Sequence, residues 1–198
     1  MEHVRVSEIL AQFRDFSKIN PKVLVEKCLI GTEVHSNIHE YKTFGFPMFD
    51  LFPVRDISTF EILSWQKRGE GYFKSYLEWD KQTNAKFEKM EQRLYDDNLM
   101  ITGQFDALMT TDSLPMLVDF KCSYKADVEM WSMQAHYYKH LLEHNGIKIA
   151  DEFLWMKLDK NGKKPQLVKI SFDENIMSRC IDEAILFWEK KNQSRCVA

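Results

Sequence analysis

The sequence predicts an α/β fold, a central mixed sheet with flanking helices. Three observations carry that expectation. Apolar residues recur at helical spacing over the first part of the chain. The middle then switches to short alternating or β-rich runs divided by Asp-Asn and Asp-Ser turns. Helical spacing returns twice more, once between strands and once after them. With 198 residues, 44% hydrophobic and 13% aromatic, the chain can bury a substantial core. One domain over residues 1–198 is expected: a mainly helical part over 1–89 and a sheet with its helices over 90–198.

The elements follow in order. Residues 5–18 read as a helix, with Val6, Ile9, Leu10 and Phe13 on one face. Pro21 opens a second helix through Val25, Leu29 and Ile30 into "GTEVHSNIHEY". Residues 43–60 hold two prolines and many aromatics, which predicts an irregular segment. From Glu61 to about Lys89 a helix is expected on Trp65, Tyr72, Phe73, Tyr76, Leu77 and Phe87, interrupted near Gly69 and Gly71. Three strands follow at roughly 90–95, 99–109 and 115–121. "VEMWSMQAHYYKHLLEHNG" is a strong helix ended by Asn145-Gly146. "DEFLWMKLDKNGKKPQLVKISF" is a hairpin in which Asn161-Gly162 suits a tight turn. Asp173 caps the last helix.

Composition excludes several classes. The apolar runs are too short for a membrane span. "MEHVRVSEILAQF" fits neither a signal nor a transit peptide. The four cysteines (Cys28, Cys122, Cys180, Cys196) are scattered, with no CxxC pair, which predicts a reduced, cytoplasmic setting. The net charge of −3 gives no overall attraction to nucleic acid, so any such contact must be local.

"LVDFKCS" raises the chemical question. Alternation puts Asp119 and Lys121 on one strand face and Val118 and Phe120 on the other. Taken alone, D-x-K is a common surface triplet. However, "TGQFDALM" places Asp106 in an otherwise apolar run, and a short turn returns the chain antiparallel, which brings Asp106 beside Asp119. Two adjacent desolvated carboxylates repel unless a cation relieves them. A hard divalent ion does so through one or two carboxylates plus substrate phosphates. Lys121 is placed to stabilise an anionic transition state or to orient a water.

"GTEVHSNIHEY", "MEQRLYDDNLMITGQFDALM", "LVDFKCS" and "MQAHYYKHLL", in this order, resemble the PD-(D/E)XK nuclease superfamily, and within it the RecB/Cas4-like exonuclease branch. The resemblance covers residues 31 to about 145. It implies a restriction-endonuclease-like core. It also implies Asp106 and Asp119 as metal carboxylates, Lys121 as the catalytic lysine and His35 as the helix ligand. The Phe120 carbonyl would be a further ligand, and Glu91 would lie near the site. Gln134 and Tyr138 would form a Q-x-x-x-Y pair supporting the site. Mg²⁺ or Mn²⁺ would be the cofactor and DNA the substrate, with a recombinase or single-strand-binding protein as a further partner. No iron–sulfur cluster is expected, because the late cysteines lack the clustered spacing that some members carry.

Alternatives stay open at four places. His39, one turn after His35, shares roughly its face. Gln134 and Tyr138 lie on the core-facing side of their helix, where a purely structural polar contact also fits. His136, His140 and His144 form an i, i+4, i+8 stripe; a solvated face is the favoured reading, because no acid or cysteine is spaced to complete a zinc site. Lys157, Lys160, Lys163, Lys164 and Lys169 in the hairpin are the best basic patch for phosphates, and a solvated turn explains them equally well; Lys125, Tyr124 and the aromatics of 43–60 are separate candidates to line a strand channel. The expected function is metal-dependent hydrolysis of DNA phosphodiester bonds in recombination, repair or phage DNA processing, with exonuclease action foremost. A catalytically inactive DNA-binding module or a structure-specific endonuclease on the same fold is the alternative.

Overall fold

The computed structural model describes residues 2–49, 51–55 and 62–196. The N-terminal part contains β1 (Val4–Arg5), α1 (Val6–Ala11), α2 (Pro21–Phe44), β2 (Leu51–Arg55), β3 (Ile62–Lys67) and α3 (Glu70–Thr83). β4 (Phe87–Asp96), β5 (Ile101–Met109) and β6 (Met116–Lys121) form the meander. α4 (Val128–His144), β7 (Glu152–Lys157), β8 (Gln166–Ser171) and α5 (Glu174–Cys196) complete the chain. Among the described residues, six strands make one mixed sheet in the order β1-β5-β6-β7-β8, with β4 also paired to β5. β2 and β3 form a separate antiparallel ribbon.

Strand alternation sorts the sheet into two core layers. Leu117, Phe153 and Trp155 pack with α1, α4 and α5. Val118, Phe120, Leu154 and Met156 pack with α2 and α3. The result is a sheet between two helical layers, as the periodicities predict. α2 starts with Pro21 at its first turn and the Asn20 side chain accepting the Lys22 N–H at 2.9 Å. It buries Val34 and Ile38 and ends on Gly45 at φ +84°.

β4 runs along the whole length of one edge of β5. On the other edge β1 pairs in parallel with Ile101 and Thr102, while β6 pairs antiparallel with Ala107, Leu108 and Met109. Among the described residues, 103–106 therefore have no strand partner on that edge. Tyr138 and Leu141 of α4 lie over this gap, and a Cβ on Gly103 would come within 2.8 and 2.9 Å of them.

Several expected elements differ. The helix expected over 5–18 stops at Ala11, and the Asp15 carboxylate accepts the Ser17 N–H at 2.9 Å, a local turn that competes with helix. The helix expected from Glu61 to Lys89 is instead strand β3, a left-handed Gly69 at φ +72°, and α3, which ends at left-handed Asn84. Residues 51–55 of the expected irregular segment form β2, where Pro53 is tolerated in a two-stranded ribbon. Residues 50 and 56–61 lie outside the described residues. The Asn161-Gly162 turn sits inside a longer β7–β8 connection: the Gly162 N–H donates to the Asp159 carbonyl at 3.1 Å. This connection docks on α3, where Gly71 lies against the Lys160 carbonyl and the Asp159 N–H donates to Ser75 Oγ at 2.9 Å.

Candidate active site

The site forms where β5 and β6 part. Their ladder ends at Ala107 and Val118, so Asp106 and Asp119 would be the next facing pair. Instead of a β5 carbonyl, the Phe120 N–H finds the Asp106 carboxylate, donating to Oδ2 at 2.7 Å. Alternation along β5 also slips here. Phe105 packs in the α4 layer and Ala107 in the α2 layer. Glu91, between the residues that pair with Phe105 and Ala107, has φ +51°. A left-handed glutamate in a strand is strained and distinguishes this point of the sheet.

Both helical layers contribute side chains. From α2, His35 meets the parted strands: Nδ1 lies 3.2 Å from Asp106 Oδ1 and 3.8 Å from Glu91 Oε1, and Nε2 lies 2.8 Å from the Phe120 carbonyl. One donor atom each from His35, Glu91 and Asp106 falls within a 4.8 Å span. From α4, Gln134 accepts from Lys121 Nζ at 2.9 Å and donates Nε2 to Asp119 Oδ1 at 3.3 Å and to the Tyr138 hydroxyl at 3.0 Å. Lys121 Nζ lies 2.6 Å from Asp119 Oδ2. This is a short charge-assisted contact between the ammonium and the buried carboxylate.

The electrostatics follow from packing two carboxylates together. Burial and the neighbouring Asp106 raise the pKa of Asp119, against the pull of Lys121. Asp106 is also desolvated, but His35 outweighs that and holds it below the ordinary carboxylate range. Burial opposes charge on His35, yet Asp106, Asp119 and Glu91 together raise it to about 9. His35 is thus an imidazolium whose two N–H groups point at Asp106 and at the Phe120 carbonyl. Burial, with Asp106, also raises Glu91. Tyr138 is raised by burial and the nearby carboxylates, so it stays a neutral phenol.

The structure brings together His35, Glu91, Asp106, Asp119, the Phe120 carbonyl, Lys121, Gln134 and Tyr138. His39 is not among the residues gathered around Asp106; it lines a cleft with Lys42, Lys86 and Lys89, close enough for its charge to act on Glu91. Lys160, Lys163 and Lys164 sit on the connection that follows β7, whose Lys157 is the ladder partner of Lys121. The Leu158 N–H donates to the Lys121 carbonyl at 2.8 Å, so this basic loop leaves the sheet at the same end as the D-x-K strand. Lys164 Nζ also donates to Gln82 at 3.0 Å. Lys125 is exposed in the loop after β6, beside an open Tyr124. Cys28, Cys122 and Cys180 lie on three different segments.

Sequence reasoning missed Gln104, which donates to Glu91 Oε2 at 2.7 Å and accepts from Arg93 at 3.0 Å. The signal was a polar residue two positions before Asp106. The histidine stripe is corrected too. His136 is fully buried, and His140 and His144 meet Asp96 from a turn far away in sequence. Helical spacing alone cannot reveal a partner on another element.

No protein-family model matches the sequence, and no curated protein is significantly similar to it. Solved structures are similar. A protein from Eubacterium rectale described as a candidate exonuclease superposes with a TM-score of 0.55 over 96% of this chain and 79% of its own, at 10% identity. The two share a fold. A phage-related exonuclease from Haemophilus somnus gives 0.47 at 13% identity, over 98% of this chain and 96% of its own. An alkaline exonuclease from Laribacter hongkongensis gives 0.44 at 11% identity, over 63% of this chain and 70% of its own.

Proposed function

We propose that this chain is a single-domain, metal-dependent deoxyribonuclease of the RecB-like branch, with exonuclease action on DNA ends in recombination or repair. The observation that carries it is the convergence of acid, histidine and lysine where β5 and β6 part. Unrelated surface groups do not gather around a break in a sheet. The exonuclease descriptions of the structural neighbours agree with this reading.

The donor set fits a hard divalent cation. Asp106 and Glu91 offer carboxylates and His35 an imidazole within one small span, with the Phe120 carbonyl on His35 and the Asp119 carboxylate, paired with Lys121, beside them. Oxygen-rich sites with substrate phosphate suit Mg²⁺ or Mn²⁺. Bound there, such an ion lowers the pKa of a coordinated water and neutralises charge on the phosphate. This chain's residues do the rest. Asp106 and Asp119 orient the water for attack on phosphorus. The phosphorus–oxygen bond to the leaving sugar breaks, the water's proton passes to solvent, and the leaving oxygen gains one. Lys121, held by Asp119 and Gln134, directs its ammonium at the pentavalent transition state. Tyr138 and Gln134 fix that lysine. The loop lysines 160, 163 and 164, with Lys125, hold flanking phosphates.

End-labelled single- and double-stranded DNA, incubated with Mg²⁺, Mn²⁺ or EDTA, tests this. Cleavage is expected with metal and not with EDTA. Lys121→Ala should lower the rate on the order of 10²–10³-fold while the protein stays folded. Absence of cleavage by folded wild type on either substrate would reject catalysis.

A further inference from the structure

A second cluster stands apart from the candidate active site. Asp96 ends β4 and is 1% exposed. Its Oδ1 accepts the N–H groups of Asn98 at 2.7 Å and Leu99 at 3.2 Å, which fix the carboxylate in the β4–β5 turn. Its Oδ2 lies 2.7 Å from His140 Nε2, and Oδ1 lies 3.5 Å from His144 Nε2. His140 and His144 are one turn apart on α4 and their rings run nearly parallel, 26° apart at 6.1 Å. Both Nε2 atoms therefore address one carboxylate, and the three donor atoms lie within a 4.8 Å span. His136 takes no part: its Nδ1 lies 2.7 Å from the Ser132 carbonyl and its Nε2 accepts the Asp173 N–H at 2.8 Å.

We propose that Asp96, His140 and His144 bind a borderline transition-metal dication, zinc foremost, at a site independent of the catalytic one. An Asp–His hydrogen bond needs one imidazole. The second imidazole, 3.5 Å from the same carboxylate, adds a charge contact but no aligned hydrogen bond, and two nitrogens and one oxygen at this spacing are a transition-metal donor set. Two features favour a cation further. The N–H groups of Asn98 and Leu99 orient the carboxylate as outer-shell donors do at metal sites. His144 lies in the last turn of α4, where the helix carbonyls present partial negative charge. Both histidine side chains remain partly open, 25% and 33% exposed, which gives the ion an entry path and leaves room for water as a further ligand. The catalytic donor set is rich in oxygen and this one in nitrogen, so the two sites select different ions. The ion would fasten the β4–β5 turn to α4, joining the strand that carries Asp106 to the helix that carries Gln134.

Co²⁺, a coloured substitute for zinc, is titrated into the full chain with excess Mg²⁺ to fill the oxygen-rich site. Wild type and Asp119→Asn should each bind one equivalent with visible d–d absorption, which added Zn²⁺ then abolishes. His144→Ala should lose that band, as should His144→Gln, which keeps the side-chain bulk. Zinc should raise the melting temperature of wild type and Asp119→Asn and leave the His144 variants unmoved. Absence of the band in wild type would overturn the proposal. So would a band that survives in both His144 variants, or one lost in Asp119→Asn, which would place the ion among the catalytic carboxylates.

Discussion

His35 stands between the two carboxylates and the carbonyl that would serve a metal. In the metal-free protein its imidazolium holds them together, and the consequence for pH has a definite sign. A histidine raised from 6.5 to about 9 contributes stability that is fully present below pH 6.5 and is lost as pH rises through about 9. Asp119, an acid whose pKa is raised, acts in the same direction: the folded state favours its protonated form, so stability falls as pH climbs from the ordinary carboxylate range. In EDTA, the melting temperature should therefore drop between about pH 6 and about pH 9. Added Mg²⁺ should restore more at the upper end, because binding displaces protons. A flat profile would show that His35 carries no extra proton. Asp119→Asn removes the disfavoured charge; it should raise the metal-free melting temperature and abolish metal-dependent cleavage. At this scale the sequence was informative. Asp106, Asp119 and Lys121 are recognisable because polar residues interrupt apolar strands. Gln104 and Asp96 escaped notice because their partners are set by strand register and helix packing.

The broken edge of β5 does what no single residue can. A continuous ladder would satisfy every N–H between β5 and β6 and leave no room for His35. The close approach of α4 over this gap depends on Gly103, since any Cβ there crowds Tyr138 and Leu141. Gly103→Ala should cost about 1–3 kcal/mol of stability by overpacking. It should also lower kcat more than it raises KM, because the displaced Tyr138 releases Gln134 and with it Lys121. Urea unfolding and steady-state kinetics on the same variant check both parts. The three meander strands and α4 were legible in the sequence because their periods are long and clean. The β2–β3 ribbon and the early stop of α1 were not: aromatics and Pro53 argued for a loop, and Asp15 turns a chain whose apolar spacing still reads as helix.

For the whole molecule, a net charge of −3 means that the proposed DNA substrate would have to be held by local charge against an unfavourable background. Replacing Lys160, Lys163 and Lys164 with alanine should weaken DNA binding at every sequence tested. It should also flatten the salt dependence by about one unit of slope for each phosphate that is no longer neutralised. An unchanged slope would make this loop an ordinary solvated turn. The shared edge of β5 also constrains the order of assembly. Val4 is buried, and its N–H donates to Met100 O at 3.0 Å, so the start of the chain completes a sheet whose other strands come from beyond residue 86. Closing so long a loop is entropically unfavourable until the meander exists to receive it. On a ribosome, the first strand and α1 must wait, unpaired and with Val6, Ile9 and Leu10 uncovered, until β5 has emerged. Those residues therefore stay uncovered longer than the strands of the meander, and are the last to find their place in the native core.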